Sequence, residues 1–158
     1  MRYTSNMEAK IYLPIPTFSV NKMYYATKKI KTKEAREWSG QVFYHLNDVA
    51  IQAELEKIRT NFDPKVHGLH VEMKAFFPPS KLFTKSEHLS GRAHDITNFE
   101  KPLVDLLFLP KYHNLTPPQG APNLNVDDRY LLGCSSSKAA GETGIEITIK
   151  IVPNGFKN

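Results

Sequence analysis

The sequence predicts an α+β domain in which one long and one short helix pack on a single mixed β-sheet. Three observations carry that expectation. Apolar and polar residues alternate in stretches near both ends and in the middle of the chain, a helical period runs through residues 32–58, and the elements follow the order strand, long helix, strand, short helix, strand, strand.

The first strand is "MEAKIYLPIP", residues 7–16. Here Ile11, Leu13 and Ile15 alternate with Tyr12 and Pro14, and the prolines suit a strand end or a sheet edge. "TFSVNKMYYATKKIK" carries no regular period and reads as a loop or short hairpin. From Thr32 to about Ile58 the apolar set Ala35, Trp38, Val42, Phe43, Leu46, Val49, Ala50, Ala53 and Leu55 recurs at helical steps. Gly40 weakens this helix, "NFDPK" ends it, and Trp38 belongs to its core face. "HGLHVEMKAFF", residues 67–77, alternates again and stops at Pro78 and Pro79, as a central strand would. Residues 80–92 read as an exposed loop. After Leu109, four prolines and one glycine between Pro110 and Asn125 exclude a regular element and mark an inserted loop over residues 110–125. "RYLLGCSSSKA" and "TGIEITIKIV" are two closing strands joined by a turn at "AGETG".

A chain of 158 residues suits one domain, residues 1–158, and can bury a core without staples. With 41% hydrophobic and 23% charged residues, the composition argues against wholesale disorder. Twenty-one Lys and Arg against sixteen Asp and Glu leave an excess of +5, compatible with a polyanionic partner or with solubility alone. The lone Cys134 cannot form an intrachain disulfide and reads as a small buried side chain. No apolar run approaches a membrane span and the N-terminus lacks the apolar core of a signal peptide, so a cytoplasmic setting is expected.

The chemistry concentrates in "HDITNFEKPLVDLL", residues 94–107. A helix capped by Asn98 and running from Phe99 to Leu109 places Asn98, Lys101 and Asp105 on one face. Leu103, Leu106 and Leu107 then turn toward the sheet, and Asp95 stands just before the helix. Such a polar edge is also an ordinary solvated face. A second acidic element, Asp127 and Asp128 in "NVDDRY", opens a predicted strand, where two adjacent like charges need a turn, solvent or a cation.

Together the two segments resemble the RusA family of Holliday junction resolvases, whose pattern runs D-x-D-N-x-x-K-x-x-x-D and later a D-D pair. The matching residues are Asp95, Asn98, Lys101, Asp105, Asp127 and Asp128. "LPIPTFSVNKMYY" is similar to the family's P-x-P-x-S-x-N-x-x-Y opening through Pro14, Pro16, Ser19, Asn21 and Tyr24, with one extra residue before the serine. "TKEAREW" looks like the start of the family's first helix. The similarity spans about Ile11 to Cys134 in one order.

The resemblance implies a RusA-like fold and a cytoplasmic homodimer of bacterial or phage origin that resolves four-way DNA junctions with Mg²⁺, or with Mn²⁺ in its place. It implies catalytic roles for Asp95, Asp128, Lys101 and Asn98, and metal ligation by Asp95 and Asp128 with Asp127 and Asp105 nearby. Hard Mg²⁺ prefers carboxylate oxygen and keeps waters. Residues 22–33 hold five lysines, no acid until the segment ends, and two tyrosines. On that basis Asn21, Lys22, Tyr24, Lys28, Lys29 and Lys31, with Arg92, are expected at DNA; Lys81 and Lys85 are weaker candidates. Two departures stand out. Thr97 occupies the position of the family's second acid, removing a negative charge that Asp105, Asp127, a single-ion mechanism or His113 would have to offset. The inserted loop roughly doubles the family's spacing between Asp105 and Asp128.

Overall fold

Alternation in four stretches becomes one four-stranded sheet in the computed structural model, which describes residues 7–19, 32–91, 96–108 and 122–156, and of residues 96–98 the backbone alone. The elements are β1 (Glu8–Leu13), α1 (Lys33–Leu46), α2 (Val49–Asn61), β2 (His67–Phe77), α3 (Pro79–Leu82), α4 (Ile96–Leu107), a 3-10 turn (Asp128–Tyr130), β3 (Leu131–Ala140) and β4 (Gly144–Pro153). The sheet order is β1-β4-β2-β3. β4 runs antiparallel to both its neighbours, with Ile11 opposite Ile147 and Met73 opposite Ile147. β3 runs parallel to β2, with Val71 opposite Cys134. A parallel pair needs a crossover, and α4 supplies it.

The period of two sends one set of side chains to the helices and the other to solvent. Ile11, Leu13, Val71, Met73, Ala75, Ile145, Ile147 and Ile149 are buried against the helices. Lys10, Tyr12, Glu72, Lys74 and Glu146 point to the open face, where Lys150 pairs with Glu72 at 3.1 Å. α4 contributes Phe99, Leu103, Leu106 and Leu107, all at most 1% exposed. Each such leucine is worth about 1.5–3 kcal/mol relative to exposure, so this stripe holds α4 over the β3 side.

The α+β class and the mixed sheet match expectation, and β2 has the bounds read from the sequence. The long helix does not run through. Residues 32–61 form two helices, because Asp48 caps a new start by accepting from the amides of Ala50 and Ile51 at 3.0 and 3.2 Å. Val49 is consequently 86% exposed rather than core-facing. Gly40 sits inside α1, where the other residues carry the helix. Trp38 is in the core as expected, its indole N–H donating to the Pro16 carbonyl at 2.8 Å. Residues 80–91 are more ordered than an exposed loop, with Leu82 and Ser90 buried and Phe83 bridged to Leu89. Of the inserted loop, residues 110–121 lie outside the described residues. Residues 122–125 are fixed to the body, with Leu124 and Asn123 buried. No helix among the described residues is long and apolar enough to cross a membrane.

Candidate metal and DNA site

Helical spacing brings Lys101 and Asp105 together, one turn apart on α4, with Nζ 3.3 Å from Oδ1. Lys101 is largely exposed and Asp105 mostly covered. The helix starts at Ile96, three residues before the expected Phe99, so Asn98 lies in its first turn and not at the cap position. It ends at Leu107 rather than Leu109. Pro102 is then the seventh helical residue, and its missing N–H leaves the Asn98 carbonyl without the usual intrahelical donor. On the opposite side of α4, Glu100 accepts from the Ser136 hydroxyl of β3 at 2.5 Å.

The acidic pair does not open the strand. Asp127 caps a single 3-10 turn, accepting from the Arg129 amide at 2.8 Å, and β3 begins only at Leu131. The turn accommodates the two like charges by sending one carboxylate back to the backbone. Asp128 is half-buried, and among the described residues its carboxylate has no hydrogen-bond or ion-pair partner. Arg129 lies 3.8 Å from Asp127 and stacks over Tyr130 at 5.0 Å.

Asn123 ties this turn to α4, and its importance was not read from the sequence. Fully buried, it donates to the Leu106 carbonyl at 3.0 Å and accepts from the Asn125 amide at 2.8 Å, while the Leu124 amide donates to the Leu107 carbonyl at 3.0 Å. Two of the orphan carbonyls at the C-terminal end of α4, those of Leu106 and Leu107, are thereby satisfied. From the other side Arg59 of α2 donates twice to the Asn123 carbonyl, at 3.1 and 2.7 Å, and Gln52 donates to the Pro122 carbonyl at 3.1 Å. Asn125 takes a left-handed φ of 55°, a conformation Asn tolerates. Two residues later the chain reaches Asp127. The signal available in the sequence was the Asn-x-Asn spacing immediately after the proline-rich stretch.

Glu100 was also missed. It faces Cys134, whose thiol is pushed up to about 11 by burial and then by the neighbouring carboxylate. Cys134 is half-buried rather than fully buried, and a thiol so shifted is a poor nucleophile and a poor ligand for a hard cation.

Asp95, Arg92 and His113 lie outside the described residues, as do Asn21, Lys22, Tyr24, Lys28, Lys29 and Lys31; so do the side chains of Thr97 and Asn98. Among the described residues no group of three or more His, Cys, Asp or Glu side chains converges as a metal centre. The donors present in this region, Asp105, Asp127 and Asp128, are all carboxylates, a set suited to a hard divalent cation and unsuited to a thiophilic one. The 3-10 turn packs against β2 at the parallel end of the sheet, with Tyr130 edge-on to Phe62 at 5.3 Å. No family model matches this chain, and no curated protein matches it.

Proposed function

We propose that the chain is a Mg²⁺-dependent, structure-selective endonuclease that hydrolyses phosphodiester bonds in four-way or otherwise branched DNA. The observation that carries the reading is the link between two separate segments of the motif: Asn123 and Leu124 are bonded to the last turn of α4, so the Lys101–Asp105 helix and Asp128, which has no partner among the described residues, belong to adjoining elements. The RusA-type resemblance adds Asp95 immediately before that helix.

In this reading Asp128 and Asp95 would hold the cation, and Asp127, whose Oδ1 is engaged by the turn, keeps its other oxygen available. Bound Mg²⁺ would acidify a coordinated water for in-line attack at phosphorus. Lys101, exposed and held among the described residues only by its i,i+4 pair, can swing to the phosphate and neutralise charge developing on its oxygens. Asp105 orients that ammonium. Lysines of residues 22–33 and Arg92 would follow the phosphate backbone, with Tyr24 available for stacking on an unpaired base.

Thr97 favours a second reading, a junction-binding protein that cuts weakly or not at all, because the site carries one negative charge fewer than the family pattern. Labelled four-way junction incubated with the purified chain in Mg²⁺ or Mn²⁺, beside linear duplex and Asp128→Asn, separates the two. The nuclease reading expects paired nicks in the junction alone, lost in the variant. Retarded but intact junction in both metals would replace it with the second reading, and absence of any DNA complex at low salt would reject both.

A further inference from the structure

An arginine in the last turn of a helix, three residues after a glutamate, ordinarily serves the helix itself. Arg59 does so with one nitrogen, Nη1 donating to Glu56 at 2.9 Å. Its Nε and Nη2 cross to the segment that leads to the acidic turn and converge on the Asn123 carbonyl, at 3.1 and 2.7 Å. Nη2 also donates to the Gln52 side-chain oxygen at 2.9 Å, which fixes the plane of the guanidinium. Gln52 stands two helical turns earlier on the same face and donates to the neighbouring Pro122 carbonyl at 3.1 Å. The Arg59 side chain is 21% exposed and Asn123 is fully buried, so water is poorly placed to replace these bonds. Besides Arg59, the Asn123 carbonyl receives among the described residues only the Asn125 side chain, at 3.4 Å.

Beyond the acids the same helix holds the segment again. Phe62, the residue that ends α2, lies edge-on to Tyr130 at 5.3 Å, and the Tyr130 amide donates to the Asp127 carbonyl at 3.2 Å. Asp127 and Asp128 therefore sit in a short span whose two ends are both fixed to α2. Among the described residues neither carboxylate is itself bonded to that helix.

We infer that Arg59 is a positioning residue for the Asp127–Asp128 turn, and that α2 sets where those carboxylates stand without lending a ligand. The hold on the turn is independent of any activity; its consequence for a cation rests on the proposed function. Mg²⁺ demands near-ideal octahedral geometry, so a carboxylate carried on a loosened turn binds it less well. Shape matters here as well as charge. A lysine keeps the charge, but its single ammonium lacks the planar fork that meets Glu56, Gln52 and the Asn123 carbonyl together.

Amide hydrogen exchange of the metal-free full chain, followed by Mn²⁺ titration, tests this in Arg59→Lys and Arg59→Met. Lys57→Gln is the control on the same helix, since Lys57 pairs with Glu54 and not with the turn. In both Arg59 variants the amides of Leu124, Asn125 and Tyr130 should exchange roughly tenfold faster than in wild type, while those of β2 and β4 keep their rates. Mn²⁺ should bind these variants roughly tenfold more weakly, with Arg59→Lys closer to Arg59→Met than to wild type, and Lys57→Gln should match wild type in both measurements. Phe62→Leu leaves the arginine in place and tests the second hold should the Arg59 variants fold poorly: the Tyr130 amide should exchange roughly threefold faster, with a parallel loss of Mn²⁺ affinity. Unchanged exchange at the turn, or exchange that rises only in step with β2 and β4, would overturn the positioning role. A loosened turn that keeps wild-type Mn²⁺ affinity, where Asp128→Asn lowers it, would overturn it too. Mn²⁺ binding indifferent to Asp128→Asn would instead bring down the metal site itself, and the role of Arg59 there with it.

Discussion

At β1 the outer edge of the sheet is capped at one position by a helix side chain. The Lys10 amide, pointing away from β4, donates to Glu54 of α2 at 3.2 Å, Lys57 holds that carboxylate at 2.9 Å, and Pro14 and Pro16 follow the strand. At β3 no side chain among the described residues caps the edge in this way, and the acidic residues of the candidate site whose side chains are described lie beside that strand, on α4 or in the turn that leads into it. The two sides also differ in how they are held. α2 packs on β1 and β4 through a mixed face, whereas α4 is fixed over β3 by a continuous leucine stripe and by one buried asparagine at its end.

The largest effect should come from breaking the β3 side at that stripe. Leu106→Ala removes a side chain 1% exposed, and guanidinium unfolding should show a loss of about 2–5 kcal/mol. An equivalent substitution at exposed Val49 on α2 should leave the midpoint nearly unchanged. Next in size, Asn123→Ala deletes two hydrogen bonds and leaves the Leu106 carbonyl buried without its donor, at a cost of about 1–3 kcal/mol by the same unfolding measurement. If the turn depends on Asn123 as described, this variant should also lose cleavage or metal binding before it loses its fold.

The Cys134 thiol gives a pH test of the β3 side. Its folded value lies near 11 against an ordinary 9.0, so the folded state holds the proton more tightly than the unfolded chain. The associated stability is fully present below about pH 9 and is lost as pH rises toward 11. Unfolding midpoints between those values should fall more steeply for wild type than for Cys134→Ser, and alkylation of native protein at neutral pH should be slow. The smallest change is expected at the guarded edge. Glu54→Gln weakens a part-buried pair with Lys57 by about 1 kcal/mol. Sedimentation should show no change in mass, since Pro14 and Pro16 remain; self-association of this variant would mean that Glu54 alone guards β1.

The strands were legible because their period of two is set by burial on one face, and β2 was read to the residue since Pro78 and Pro79 cannot continue its ladder. The break at Asn47–Asp48 was hidden by apolar residues that keep helical spacing across it. The informative sign was local: Asp48 followed by free amides at Ala50 and Ile51. A similar competition explains Asp127 and Asp128. Strand propensity of the following residues suggested that the pair opens β3, but Asp127 bonds its own neighbouring backbone and forms a turn instead. Within the site, the Lys101–Asp105 pair was readable from an i,i+4 spacing. Asn123 was not, because its role depends on which helix end it meets, a tertiary fact with no local period. The lysine loop and Asp95 lie outside the described residues, so that part of the reading rests on sequence.

The central claim is that two acidic segments more than twenty residues apart serve one cation. Titration of the metal-free chain with Mn²⁺, followed by its electron paramagnetic resonance signal, measures this directly. The account predicts saturable binding that is weakened at least roughly tenfold by either Asp95→Asn or Asp128→Asn, with the double variant little worse than each alone, as expected for ligands of one site. Binding left intact by both substitutions, or losses that simply add, would contradict it.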